Sequence, residues 1–236
     1  MTEQSQPVAT SHCRPLVIYG NGAMAAVYDS YFRTRGVIAF TVESRFKHSD
    51  TFADRPLIAF EQLAETFVAE KTDVIVAVGY SAMNSIRARI ADEVKAIGFQ
   101  LGSYLAPGFS LHTGSSVGEH CVVLEHCSMH CHTRVGRNVF ISSGVNIGHH
   151  CQIGSNVWIN AGVALAGGVT IGDNCFLGVN ASVAHGVTLA PGTYVGANTL
   201  VSKNTENNQV VVTPAGEVYD LDSRVFLAAL EAAHAN

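Results

Sequence analysis

The sequence predicts a parallel β-coil built from six-residue repeats, with a small α/β unit before it and a helix after it. Aliphatic residues recur at every sixth position from Leu105 to Val201, and glycines are frequent between them. Residues 14–100 instead alternate short apolar runs with helical segments. Charged residues make up only 14% of the 236 residues and hydrophobic residues 47%, which is typical of a folded chain rather than a disordered one.

The six-residue repeat keeps its register without a slip. Its aliphatic or methionine positions are Leu105, Leu111, Val117, Val123, Met129, Val135, Ile141, Ile147, Ile153, Ile159, Leu165, Ile171, Leu177, Val183, Leu189, Val195 and Val201. This period fits neither an alternating strand nor a 3.6-residue helix. It fits a triangular coil with one short strand per hexapeptide and three hexapeptides per turn. We therefore expect these side chains to point into the prism.

The residue four positions after the aliphatic is usually small or β-branched, and we expect it to fill the inside of a corner. Cys121, Cys127, Cys151 and Cys175 fall on this position. They are expected to pack in the core rather than to act as ligands or nucleophiles.

Charge and hydropathy exclude several classes of protein. The net charge of −5 offers no basic surface for nucleic acid. No apolar run reaches the length of a membrane span, and residues 1–13 are polar, so we expect a cytoplasmic protein with no membrane partner. In that compartment the six cysteines are expected to be thiols rather than a disulfide framework.

Residues 14–100 predict a small, Rossmann-like α/β domain. The strand Leu16–Tyr19 runs into Gly20-Asn21-Gly22-Ala23-Met24-Ala25, and a helix follows through Phe32. Strand, glycine turn and helix at this spacing are typical of a nucleotide-binding fingerprint, and a tight turn that only packs helix on strand is the alternative. The further predicted elements are strands Val37–Val42 and Asp73–Val78 and a helix Ser85–Ile97.

After Val201 the repeat stops. A strand at Val210–Val212 and a helix at Ser223–His234 follow, and we expect this helix to pack across the open end of the prism. The predicted domains are residues 14–100, residues 101–206 with the β-coil, and residues 207–236 with the strand and capping helix.

Histidines concentrate on the coil, and one column of them suits acyl transfer. Cys131, His149, Gly167 and His185 are eighteen residues apart and therefore stack, and His132 lies over His150. Acyl transfer from a thioester requires a base that works near neutral pH, which histidine provides. It also requires a donor for the oxyanion, which a backbone N–H in a glycine turn provides.

The stretches Ile147–Gly154 and Gly167–Gly178 resemble hexapeptide-repeat sugar acyltransferases of the sialic-acid and bacillosamine type. The resemblance implies a left-handed parallel β-helix, a homotrimer, acetyl-CoA as the co-substrate, a nucleotide-sugar-binding role for residues 14–100 and no metal. It further implies catalytic, cofactor-binding and substrate-binding roles for particular residues: His149 as general base beside His150, Gly167 and Lys203 against coenzyme A, and Gly20, Gly22 and Glu43 against the sugar nucleotide.

Two positions depart from the family pattern. His150 stands where relatives carry an acidic residue that orients the base, so Glu125 or a residue of a neighbouring subunit is considered as a substitute. An acidic pair after the second strand is reduced to Val42 and Glu43, which leaves open a nucleotide other than uridine or a different ligand.

The leading hypothesis is therefore an acyl-CoA-dependent N-acyltransferase acting on a nucleotide-linked amino sugar. O-acylation of a sugar or small alcohol is the alternative, and a non-catalytic or metal-dependent β-helix is a third. The remaining coil histidines considered are expected to be solvated turn residues: His120, His126, His130, His132 and His185. A zinc site through Cys127, His130, Cys131 and His132 is disfavoured because Cys127 points inward by register.

Overall fold

The computed structural model describes residues 14–218 and 220–234. Its N-terminal part is a six-stranded sheet of order β3-β4-β2-β1-β5-β6, parallel except for the β3–β4 pair. The elements are β1 Leu16–Tyr19, α1 Ala23–Tyr31, β2 Val37–Val42, β3 Thr51–Phe52, β4 Arg55–Ala59, α2 Leu63–Thr66, β5 Asp73–Val76, α3 Ser85–Ala96 and β6 Gln100–Leu101. The predicted strands and helices are all present, and β3, β4, α2 and β6 are additional.

The second part is a parallel β-helix whose two-residue strands form three faces. The first face comprises β7 Tyr104–Leu105, β9 Val122–Val123, β12 Phe140–Ile141, β15 Trp158–Ile159, β18 Phe176–Leu177, β21 Tyr194–Val195 and β23 Val210–Val211. The second face comprises β10 Ser128–Met129, β13 Asn146–Ile147, β16 Ala164–Leu165, β19 Ser182–Val183 and β22 Leu200–Val201. The third comprises β8 Ser116–Val117, β11 Arg134–Val135, β14 Gln152–Ile153, β17 Thr170–Ile171 and β20 Thr188–Leu189.

The predicted register is confirmed from β8 onward. On the first face Ile141 pairs with Ile159 and Ile159 with Leu177, and none of these side chains is more than 1% exposed. The start of the coil is less regular, because residues 106–115 form no strand and Leu111 only packs against the edge of the core.

Three of the four inward cysteines are buried as expected, and the fourth, Cys127, is half-buried and packs against the same core. Cys121, Cys151 and Cys175 are fully buried, and each thiol contacts a carbonyl oxygen of its own coil: Gly136, Ala166 and Ala190, at 3.1, 3.3 and 3.3 Å. Burial raises the pKa of all three thiols, and that of Cys175 reaches about 11. They are therefore neutral core side chains rather than nucleophiles.

Each corner of the coil contains one residue in the left-handed backbone region. From residue 120 to residue 198 this position recurs every sixth residue, and only asparagine, glycine and histidine occupy it: His120, His126, His132, Asn138, Gly144, His150, Asn156, Gly162, Gly168, Asn174, Asn180, Gly186, Gly192 and Asn198. Most other side chains are strained there by about 1–2 kcal/mol. Four of the histidines therefore also satisfy a backbone requirement.

The α/β unit covers the first face of the β-helix through an outward row of aromatic rings. Phe140 stacks on Trp158 with ring centroids 4.0 Å apart, and Tyr28 of α1 stacks over Phe140 at 6.3 Å. Phe140, Trp158 and Phe176 are each no more than 5% exposed. The corner between the second and third faces is consequently the one opposite the α/β unit.

The same interface buries His120, which corrects the expectation of a solvated turn. His120 is 3% exposed, and its Nε2 accepts a hydrogen bond from the backbone N–H of Val76 at 3.0 Å. Burial, together with the nearby charge of Arg87, lowers the pKa of His120 to about 3. Its register does place it in a turn, but β5 of the α/β unit lies against that turn.

Arg87 of α3 is also buried at this interface, at 2% exposure. Its guanidinium donates to Oδ1 of Asn84 and to the carbonyl oxygen of Asn156, and lies 5.1 Å from the ring centroid of Trp158. Burial lowers the pKa of Arg87 to about 10. These contacts join α3 to the β-helix.

The C-terminal strand and helix occur where predicted. Val210 and Val211 of β23 pair with Tyr194 and Val195, and α4 spans Ser223–His234. In the part of α4 whose side chains are described, Val225 and Leu227 are 55% and 56% exposed and do not pack across the end of the prism, as they were expected to do. Over residues 14–218 and 220–234, none of the helices combines the length and apolar character needed to cross a bilayer.

Candidate active site

His149 lies at the corner between β13 of the second face and β14 of the third. Its ring packs against the coil that follows, directly over Gly167. A β-carbon added to Gly167 would lie 2.6 Å from both Cε1 and Nε2 of the imidazole. The backbone N–H of Gly168 donates to the carbonyl oxygen of His149 at 2.8 Å and holds the two corners in register. The absence of a side chain at residue 167 therefore creates the space for the His149 ring.

Gly167 also offers a hydrogen-bond donor at this position. Its carbonyl oxygen accepts from the N–H of Gly186 at 3.0 Å, but its own N–H has no acceptor within the described part of the chain. A ring nitrogen and an unengaged backbone donor therefore belong to contacting residues of neighbouring coils, and these are two of the groups that acyl transfer requires.

His150 is the nearest polar partner of His149. The two Nδ1 atoms are 3.0 Å apart, and the rings are nearly perpendicular at 84°. The His132 ring centroid lies 4.8 Å from that of His150, as predicted from the repeat, and the His185 centroid lies 6.4 Å from that of His149. Four histidines therefore form a continuous row along one corner, and all four are exposed in the single chain.

The repeat predicts that His132 stacks on His150 and that His185 lies in the column of His149, and both residues are exposed as expected; the contact of His132 with Gly114 was not predicted. A β-carbon on Gly114 would collide with the His132 ring, so this glycine accommodates His132 as Gly167 accommodates His149. The eighteen-residue spacing of Gly114 and His132 in the sequence was the available signal.

Glu125 does not orient His149 within one chain. It lies at the corner between the first and second faces, where its Oε1 accepts hydrogen bonds from Tyr31 Oη and Ser143 Oγ, both at 3.0 Å. A hydrogen bond from its own backbone N–H and those from Ser143 and Tyr31 lower the pKa of Glu125. The expectation that Glu125 of the same chain replaces the family's acidic residue is therefore wrong.

Lys203 lies in the same column as His149, Gly167 and His185, just after β22. It is exposed. Coils are spaced by about 4.8 Å, so three coils place Lys203 roughly 14 Å from His149 along the corner. An exposed cation therefore lies further along the same corner as His149.

Gly20 and Gly22 lie at the carboxyl edge of the N-terminal sheet. Gly20 directly follows β1 with φ +136°, and a β-carbon there would lie 3.0 Å from the carbonyl oxygen of Ala77. Gly22 precedes α1 and has open space around its α-carbon. Because β1 lies between β2 and β5, its end is the switch point at which parallel α/β sheets bind ligands.

Glu43 follows β2 at this same edge. Its carboxylate pairs with Arg45 and, at 2.9 Å, with Arg89. The hydrogen bond from Arg89 is the main cause that lowers the pKa of Glu43. The carboxylate is thus ionised and already held by two guanidinium groups.

The predicted site residues fall into two separate groups. His149, His150 and Gly167 are in contact, with Lys203 further along the same corner. Gly20, Gly22 and Glu43 belong to the α/β unit, which lies on the opposite face. Among residues 14–218 and 220–234, no group of three or more His, Cys, Asp or Glu side chains is arranged to hold a metal ion.

The family model "Bacterial transferase hexapeptide (six repeats)" matches residues 150–181 and 168–203. No curated protein matches the sequence. The structure, by contrast, resembles solved structures over most of its length.

One such structure is a mutant of perosamine N-acetyltransferase from Caulobacter crescentus in complex with CoA and GDP-perosamine. It is 24% identical, covers 84% of this chain and 93% of its own, and has a TM-score of 0.75. The acetyltransferase domain of PglB from Neisseria gonorrhoeae is 21% identical over 85% of this chain and 97% of its own, with a TM-score of 0.72. WeeI from Acinetobacter baumannii is 17% identical over 84% and 96%, with a TM-score of 0.70. The predicted resemblance is thereby confirmed: the chain carries bacterial transferase hexapeptide repeats and has the left-handed β-helix fold, with its N-terminal α/β unit, of these acetyltransferases.

Proposed function

We propose that the protein transfers an acetyl group from acetyl-CoA to the amino group of a nucleotide-linked sugar, with His149 as the general base. The observation that carries the proposal is the packing of the His149 imidazole against Gly167, whose backbone N–H has no acceptor in the described part of the chain. The fold supports it, because a similarly folded perosamine N-acetyltransferase was solved with CoA and GDP-perosamine.

The proposed reaction proceeds by attack of the amine, transfer of its proton to His149 and departure of the thiol. The amine nitrogen attacks the thioester carbonyl carbon and a C–N bond forms. The carbonyl π electrons move to the oxygen, and this oxyanion accepts a hydrogen bond from the Gly167 N–H. His149 Nε2 takes the proton that the amine releases. The C–S bond then breaks, and the departing thiolate takes that proton from His149. The products are an amide and the free thiol of coenzyme A.

The remaining predicted residues are assigned to binding. Lys203 would meet the phosphates of coenzyme A at the far end of the corner. Gly20 and Gly22 would let the nucleotide phosphates approach the N-terminus of α1, where backbone N–H groups favour negative charge. Glu43, held by Arg45 and Arg89, would accept hydrogen bonds from a sugar hydroxyl.

A second copy of the chain is needed to bring the two groups together. The α/β unit covers the first face, whereas His149 lies at the opposite corner, so a nucleotide bound to Gly20 and Gly22 cannot reach His149 of its own chain. The second and third faces are left uncovered to pack against neighbours. We propose a closed homotrimer in which the α/β unit of one copy serves the corner of another.

The trimer predicts a definite mass. Light scattering in solution should give three times the 25.0 kDa of the chain across the micromolar range. A stable monomer at micromolar concentration would contradict both the assembly and the shared site.

Ligand binding and product chemistry test the proposed reaction. We expect acetyl-CoA and sugar nucleotides that carry a free amine to raise Tm in a thermal-shift screen, whereas NAD does not, because the α/β unit is too short to hold both halves of a dinucleotide. Incubation with both substrates should release free CoA and yield an acetylated product that resists hydroxylamine. An ester that hydroxylamine cleaves would support O-acylation instead, and activity abolished by a chelator would support the metal-dependent alternative.

A further inference from the structure

The close pair of Nδ1 atoms determines where the ring protons of His149 and His150 lie. If His149 Nε2 accepts the substrate proton, it carries no proton beforehand, and the ring proton of neutral His149 is on Nδ1. The Nδ1 atom of His150 lies 3.0 Å away, within hydrogen-bond distance. It can act as acceptor only if His150 is neutral and carries its own proton on Nε2.

We propose that His150 is the positioning residue of the base: its neutral imidazole accepts the Nδ1–H of His149, and the pair takes up only one further proton, on Nε2 of His149. This inference rests on the proposed function, because it takes His149 as the base. His150 does not touch the substrate in this role and acts through His149.

The surroundings of the pair support the uptake of a single proton. The groups facing the two rings are the imidazoles of His132 and His185, and the Cys131 carbonyl oxygen accepts the backbone N–H of His150 at 3.0 Å. No carboxylate contacts either ring in the described residues. Two protonated rings at this separation would repel each other, so a second proton is disfavoured. His132, packed on His150 and accommodated by Gly114, restricts the orientation of the acceptor ring.

A neutral acceptor has a consequence for the pH dependence of the reaction. A carboxylate stabilises a protonated imidazole by charge, whereas a neutral imidazole does so only by a hydrogen bond. A carboxylate placed at residue 150 is therefore expected to shift the acid limb of the kcat/KM profile to higher pH.

Substitution of His150 tests this directly. His150 has φ +58°, so asparagine and aspartate are chosen because they tolerate the left-handed backbone. His150→Asp should keep substantial kcat and move the acid limb upward by about 1–3 pH units, the effect of an opposite charge nearby. His150→Asn should lower kcat by about tenfold or more with little change in KM, since misalignment of a base costs rate rather than binding.

His126→Asn is the matched control, because it makes the same His-to-Asn exchange at the equivalent position of another corner. Its kcat, KM and pH profile should match those of the wild type.

A second measurement does not depend on turnover. Nitrogen-15 spectra of histidine-labelled trimer near neutral pH should show His149 protonated on Nδ1 and His150 on Nε2, with His149→Asn and His150→Asn used for assignment. A proton on Nε2 of His149, or wild-type pH profiles in both His150 variants, would overturn the inference. An active His149→Ala enzyme would instead overturn the proposed function itself, so the two failures are distinguishable.

Discussion

His149→Ala is expected to lower kcat by about 10²–10⁴-fold, the usual contribution of a general base. Binding of coenzyme A should change little, because backbone groups and Lys203, rather than the imidazole, are proposed to hold it. The residual rate should increase with pH, since a free amine then forms without help from the enzyme. Steady-state kinetics with the amino-sugar nucleotide and calorimetry with coenzyme A measure the two quantities separately.

The control for this variant is His130→Ala, on the preceding coil. His130 is exposed and its backbone is outside the left-handed region, so alanine should be tolerated there and activity should stay near wild type. A fully active His149→Ala enzyme beside an inactive His185→Ala enzyme would instead place the catalytic centre at His185, two coils further along the corner.

Ile159→Asp is expected to prevent folding. Ile159 is completely buried on β15, between Ile141 and Leu177 of the neighbouring coils. A carboxylate there would lie in the apolar interior without a cation, which costs several kcal/mol out of a total stability of about 5–15 kcal/mol. Circular dichroism and the yield of soluble protein would report the loss.

Val179→Asp provides the matched comparison, because it also replaces a β-branched aliphatic residue by aspartate. Val179 lies on a corner and is 47% exposed, so this variant should fold and unfold cooperatively. If Ile159→Asp were soluble and cooperative as well, the inward register of the β-helix would be in error.

The register of the β-helix could be read from the sequence because each hexapeptide contributes to the core in the same way. The requirement for an inward aliphatic at every sixth position is local. Ile141, Ile159 and Leu177 can therefore be recognised as core residues without knowledge of the rest of the fold. The stacking of His132 on His150 follows from the same eighteen-residue arithmetic.

The features that escaped prediction depend on where the α/β unit docks. Nothing local in the repeat distinguishes the buried turn of His120 from the exposed turn of His126. The covered first face could have been suspected from its outward rings, Phe140, Trp158 and Phe176. The contacts of Glu125 with Tyr31 and Ser143 likewise arise only when α1 lies over its corner. The short strands β3 and β6 span two residues each and carry too little pattern to be recognised.

The restriction of the corner positions to asparagine, glycine and histidine has an evolutionary consequence. An asparagine codon becomes a histidine codon by one base change, and both residues tolerate the left-handed backbone. Imidazoles can therefore appear and disappear along the edges of this coil without a loss of folding that selection would first have to compensate. His150 occupies one such position, beside the proposed base. New ionisable groups can thus be sampled next to a working catalytic residue by drift alone, and a nitrogen ligand or proton acceptor can be recruited later.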